Sequence, residues 1–101
     1  MIISRVVFNL KFGKAKESIA IWKDIYQKVK QSQHAPQMRL LTDMTGHSYR
    51  LIHELHLKSF LDLNEVNALW MNSDEVKELY QKFIPLCDSA DREMYKIECI
   101  V

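Results

Sequence analysis

Hydrophobic and polar positions alternate with a period of two over residues 2–12, IISRVVFNLKF. Ile2, Val6, Phe8, Leu10 and Phe12, together with Ser4, share one face of a predicted strand, and Ile3, Arg5, Val7, Asn9 and Lys11 share the other. Gly13 breaks it. From residue 14 to about 31 the spacing lengthens to three and four. Ala15, Ile19, Trp22, Tyr26 and Val29 form one helical stripe with Ile25 on its flank, while Lys14, Lys16, Lys23, Lys28 and Lys30 read as a solvated face. Pro36 ends the helix, because the residue before a proline is pushed out of the α region. Alternation returns over residues 38–58 as a β-hairpin centred on Gly46-His47, with Gly46 opening a two-residue type II′ turn. If Thr45 faces Ser48, then Asp43 faces Arg50, Leu41 faces Ile52 and Arg39 faces Glu54. Two opposite-charge pairs thus bracket an apolar pair, and a slip of one residue would lose both and turn every side chain over. The other face of the hairpin carries Met38, Leu40, Thr42 and Met44 opposite Tyr49, Leu51, His53 and Leu55.

Ser59 with Asp62 signals the start of a helix over residues 60–71. Asn72-Ser73-Asp74 breaks it and caps a second piece, whose stripe is Val76, Leu79, Tyr80 and Phe83 and whose limit is Pro85. Residues 86–90 read as a connection, and about 92–101 as the last strand, with Tyr95, Ile97, Cys99 and Val101 alternating with Met94, Lys96, Glu98 and Ile100. The order β-α-β-β-α-β predicts an α+β, ferredoxin-like fold in a single domain over 1–101. Strand one lies beside strands three and four in an antiparallel sheet, and the helices cover one face. That face is expected to bury Val6, Phe8, Leu10, Leu40, Leu51, Leu55 and Ile97 or its neighbours. The opposite face sets Ile3, Val7, Leu41 and Ile52 among Arg5, Arg39, Arg50, Glu54 and His56, with no cover within the chain. A patch of that extent marks an interface, so a homodimer through this sheet face is expected.

Composition works by exclusion. The 101 residues suffice for a core without staples, and two Gly and two Pro imply short connections. A net charge of +1 with both signs interspersed leaves no footprint for nucleic acid or an acidic membrane. No apolar run approaches the ~20 residues of a membrane span, and the opening MIISRVVF lacks the pattern of a signal peptide. Cys87 and Cys99 fit neither a disulfide framework nor a zinc spacing, so a reduced, cytoplasmic setting is expected. His53 and His56, three apart on a strand, point to opposite faces and cannot share one ion; no metal and no cofactor is expected.

Phe12-Gly13-Lys14 leading into the helix of Trp22, Thr42-Asp43 with Thr45-Gly46, Lys58-Ser59-Phe60 and Asp91-Arg92-Glu93-Met94-Tyr95 together resemble NIPSNAP-type proteins of the dimeric α+β barrel superfamily. In that superfamily two ferredoxin-like sheets pack face to face. Trp70 followed by Ser73-Asp74 is similar to a Trp-x-x-Ser-Asp segment of the antibiotic-biosynthesis and haem-degrading monooxygenases. Haem-degrading members add a His ten residues after that Trp, where this chain has Tyr80, and an Asn in strand one whose spacing falls near Val6 rather than Asn9. The resemblance therefore does not extend to haem degradation.

Three functions stay open at this point. The first is a NIPSNAP-like dimeric α/β-barrel protein that binds a small apolar or aromatic ligand between sheet and helices, with Trp22, Trp70, Tyr80 and Tyr95 as candidate lining residues. The second is a cofactor-independent monooxygenase or isomerase, for which Glu54, His56, Asn9 and Tyr80 are the catalytic candidates. Glu54 beside His56 could form a general base with its orienting partner, or a buried charge network with Arg39, Arg50 and Arg5 that fixes dimer register. The third is a purely structural dimerisation module. The predicted interface comprises Ile3, Arg5, Val7, Arg39, Leu41, Arg50, Ile52, Glu54 and His56.

Overall fold

The alternation that opens the chain becomes strand β1 (Ile2–Leu10), an inner strand of a four-stranded antiparallel sheet. The structure, a computed structural model, describes residues 1–32, 35–46 and 49–101. Helix α1 (Ala15–Lys30) follows, then strands β2 (Gln37–Thr42) and β3 (Arg50–Leu57), helices α2 (Phe60–Met71) and α3 (Asp74–Phe83), one 3-10 turn (Ile84–Leu86), and strand β4 (Cys87–Lys96). The sheet order is β2-β3-β1-β4, the ferredoxin-like arrangement, with β1 between β3 and β4.

The hairpin register is the predicted one. Arg39 faces Glu54 and Leu41 faces Ile52, and the Asp43 carboxylate accepts from the Arg50 backbone N–H at 3.1 Å and from its Nε at 3.4 Å. Gly46 takes a positive φ of 107°; His47 and Ser48, on which the expected II′ turn also depends, lie outside the described residues. Both helix starts are also where the caps place them. The Asp62 carboxylate accepts from the backbone N–H of Lys58 at 2.9 Å and of Ser59 at 3.1 Å, and Ser73 Oγ accepts from Val76 N–H at 3.3 Å.

All three helices pack on the face of β1 that carries Phe8 and Leu10. The main core joins these two to Trp22, Ile25, Val29, Leu51, Val76 and Phe83, and a second cluster joins Leu55, Leu57 and Val66. Three expectations need correction. Ile25 is not on the flank of α1 but fully buried at 0 % exposure, beside an equally buried Ser18 whose hydroxyl donates to the Lys14 carbonyl at 2.7 Å. A satisfied serine can sit in the middle of an apolar stripe, which moves the stripe's centre. Phe12 lies past the end of β1 and is 85 % exposed. The last strand begins and ends earlier than expected: residues 87–91 belong to it, and Ile97 lies beyond it and outside the core. Opposite Val6 and Phe8 stand Arg92 and Ala90. β4 is an edge strand held by backbone pairing to β1, so it needs no hydrophobic alternation to form.

Candidate functional site

Where α1, α2 and α3 meet the sheet, the side chains do not close up completely. A cavity of about 250 Å³ remains, lined by Ser4, Val6, Phe8, Trp22, His53, Leu55, Val66, Asn67, Trp70, Met71, Tyr80 and Arg92. That is somewhat smaller than the ~300–1,000 Å³ of sites for drug-sized molecules, and suits a ligand of about one ring. Exposed Asn67, Met71 and Arg92 form its mouth; buried Phe8, Trp22 and His53 form its floor.

The floor is aromatic. The Trp22 ring centroid lies 4.8 Å from His53, 5.6 Å from Trp70 and 6.1 Å from Tyr80, the last edge-on. Trp22 comes from the middle of the inward stripe of α1, Trp70 from the last turn of α2, and Tyr80 from α3. Among the described residues, neither Trp22 Nε1 nor Trp70 Nε1 has a hydrogen-bond partner, although both atoms are buried. Leaving a buried donor unsatisfied costs about 1–3 kcal/mol, so each indole carries a local cost at this junction of helices and sheet.

His53 sits between these indoles and Tyr26. Its Nδ1 is 2.6 Å from the Tyr26 hydroxyl, which in turn donates to the Arg39 carbonyl at 2.9 Å. Burial, and then the nearby positive charge of Arg92, pull the His53 pKa down to about 4, so the ring is neutral at physiological pH. Burial also raises the pKa of the Tyr26 and Tyr80 phenols, which stay protonated. The unfolded chain, with His53 at its ordinary 6.5, binds a proton that the folded chain refuses. Stability contributed by His53 is therefore complete above about pH 6.5 and falls as pH drops from there towards 4, by on the order of 3 kcal/mol over the window. Urea midpoints measured between about pH 7 and about pH 4.5 should show this slope in the unmodified chain and lack it in His53→Phe.

The sheet's other face holds a different cluster. Glu54 is 0 % exposed. Arg5 grips its Oε2 through Nε at 3.1 Å and Nη2 at 2.9 Å, Arg39 grips Oε1 through Nε at 2.9 Å and through Nη2, and His56 Nε2 lies 2.8 Å from Oε1. Burial alone would raise the pKa of this carboxyl, but hydrogen bonds from Arg39, His56 and Arg5 outweigh it and hold the pKa to about 2. A carboxylate so fully engaged is a poor proton acceptor. Asn9, on the same face, donates to Ser89 Oγ at 2.8 Å.

The predicted residues thus fall into two groups. Trp22, Trp70 and Tyr80 meet at one cavity. Glu54, His56 and Asn9 lie on the opposite side of the sheet from Tyr80, so the four catalytic candidates do not converge. Tyr95 does not line the cavity: it pairs with Ile3 on the open face, with the Arg5 guanidinium 5.4 Å from its ring centroid. The expected interface residues Ile3, Arg5, Val7, Arg39, Leu41, Arg50, Ile52, Glu54 and His56 do share this helix-free face. Both cysteines are free, and burial with Asp88 nearby raises the Cys87 thiol to about 11, far from an activated thiolate. Sequence reasoning missed Tyr26 as the partner of His53, and Arg92 and Asn67 at the mouth. Arg92 could only be placed once β4 was paired correctly with β1. Among the described residues no group of three or more His, Cys, Asp or Glu could hold a metal ion, and no helix is long and apolar enough to cross a membrane.

No protein-family profile matches the chain, and no curated protein sequence matches it. Solved structures do. A NIPSNAP domain protein from Burkholderia xenovorans superposes with a TM-score of 0.84 at 11% identity, covering 100% of this chain and 98% of that one. A NIPSNAP family protein of unknown function from Agrobacterium tumefaciens gives 0.82 at 18% identity over 96% of this chain and 87% of that one. A protein from Nitrosomonas europaea described as an antibiotic biosynthesis monooxygenase gives 0.77 at 9% identity over 98% and 100%. At such identities the likeness is one of fold: the chain has the ferredoxin-like fold shared by NIPSNAP-type proteins and antibiotic-biosynthesis monooxygenases.

Proposed function

We propose that this NIPSNAP-like chain binds a small apolar or aromatic molecule in the cavity between sheet and helices, working as a homodimer through its open sheet face. The observation that carries this is the cavity itself, lined by Trp22, Trp70 and Tyr80 with His53 on its floor. A purely structural module has no use for such a space and would gain stability by filling it. Native mass spectrometry of protein purified without denaturation should find a retained small molecule. A chain that carries none, and takes up none of a panel of single-ring aromatics, contradicts the proposal.

The second reading, a cofactor-independent monooxygenase or isomerase, draws on Trp70 and Tyr80 lining one cavity. It ranks lower because Glu54, His56 and Asn9 lie across the sheet from that cavity, with Glu54 locked between two arginines. A cytoplasmic setting goes with the proposal, on the strength of the cysteine spacing.

For the dimer, two sheets packed through Ile3, Val7, Leu41 and Ile52 should bury at least the ~1,200–2,000 Å² of a standard interface. Ile52→Glu, which places a charge at the centre of that face, should give monomers or insoluble protein. A monodisperse monomer of the unmodified chain at micromolar concentration, by light scattering, would rule the dimer out.

A further inference from the structure

We infer that the cavity is built for a ligand that brings both a hydrogen-bond donor and an anionic acceptor, a planar hydroxy-substituted aromatic carboxylate, with the hydroxyl meeting His53 Nε2 and the carboxylate meeting Arg92 at the mouth. This rests on the cavity being the ligand site. The Tyr26 hydroxyl has one proton, and the Arg39 carbonyl at 2.9 Å can only accept. The phenol proton is therefore committed to that carbonyl. At the 2.6 Å contact with His53 the phenol oxygen must accept, so Nδ1 carries the ring proton. In a neutral imidazole the other nitrogen, Nε2, is then a bare lone pair, and among the described residues it has no hydrogen-bond partner.

The ring cannot escape this by taking a second proton, because Arg92 lines the same cavity and burial disfavours a second cation there. The inventory of the cavity is thus asymmetric. It offers a donor in the Arg92 guanidinium at its mouth and an acceptor at His53 Nε2 on its floor. Tyr26 acts only through His53, as the residue that fixes its tautomer. An apolar ring alone would leave the His53 acceptor unpaired and make no use of the Arg92 charge, whereas a hydroxy acid on a ring engages both. His53 with its pKa near 4 is too weak a base to take a proton from carbon, so its role is to accept a hydrogen bond.

Isothermal titration with benzoate and the three hydroxybenzoate isomers tests this. At least one isomer should bind ~10-fold or more tightly than benzoate, the difference expected when a buried acceptor is paired rather than left bare. That advantage should shrink below ~3-fold in Tyr26→Phe, which releases the tautomer, and in His53→Phe, which removes the acceptor. Nitrogen-15 NMR of the unmodified protein provides a check that needs no variant: His53 should show a protonated Nδ1 and an unprotonated Nε2. Equal binding of benzoate and all three isomers, or a protonated Nε2, overturns the inference while leaving the cavity as a ligand site. No binding of any of the four, with the cavity holding water only, overturns both.

Discussion

Trp22→Ala should cost about 3–5 kcal/mol, a large fraction of the 5–15 kcal/mol that holds a domain of this size together. Trp22 is 1 % exposed, and its ring contacts Phe8, Tyr26, His53, Trp70, Tyr80 and Phe83. Its removal empties the junction of α1, α3 and the sheet, next to space that is already unfilled, so collapse cannot recover much of the lost contact. Trp70→Ala makes the useful comparison. Trp70 is only half-buried, so its loss should destabilise clearly less while enlarging the cavity and weakening ligand retention. Urea denaturation of the two variants decides this. Equal losses would mean that the two indoles share one structural role and that the cavity has no separate function.

Glu54→Gln should destabilise the protein by about 2–4 kcal/mol, because two guanidinium groups lose the charge that holds them at a buried point. The estimate sits below the full penalty for a buried pair, since the Arg5 and Arg39 side chains are 33% and 51% exposed and keep part of their hydration. Replacing both partners, Arg39→Met with Glu54→Leu, should recover part of the loss; the remainder belongs to Arg5, which stays unpaired. Thermal melts of the single and double variants form the cycle. The linkage gives an independent sign. A carboxyl held to about 2 stabilises fully above its ordinary 4.5 and loses that contribution as pH falls from there towards 2. This window lies below the His53 window and overlaps it only between about pH 4.5 and about pH 4. A Glu54→Gln variant that melts at or above the unmodified protein would instead mark Glu54 as a strained catalytic group.

The hairpin was legible in the sequence because three facts about it agreed: a glycine at the turn, charge pairs at a constant offset, and an apolar face. Only one register satisfies all of them, and Arg39–Glu54 and Asp43–Arg50 are found in it. The first half of β4 was not legible because nothing in Asp88-Ser89-Ala90-Asp91-Arg92 alternates. Its position comes from backbone hydrogen bonds to β1, which leave no trace in side-chain chemistry. The inward aromatics Trp22, Trp70 and Tyr80 could be read from helical spacing, and their convergence followed from the fold. The Tyr26–His53 contact could not, because it depends on how α1 crosses a strand 27 positions further on. Ile97 was misplaced because β4 ends at Lys96, and Tyr95 because its pairing with Ile3 puts it on the face away from the helices.

On this account the space between sheet and helices, which Trp22 and Trp70 help to line, receives a ligand. The chain has two tryptophans, so its proton–nitrogen spectrum contains two indole resonances, each reporting on one wall of the cavity. Titration with benzoate, phenol and the hydroxybenzoates at up to about millimolar concentration should move both resonances together, in a saturable way, for at least one of the compounds. If neither resonance moves for any of them, the cavity is not a binding site.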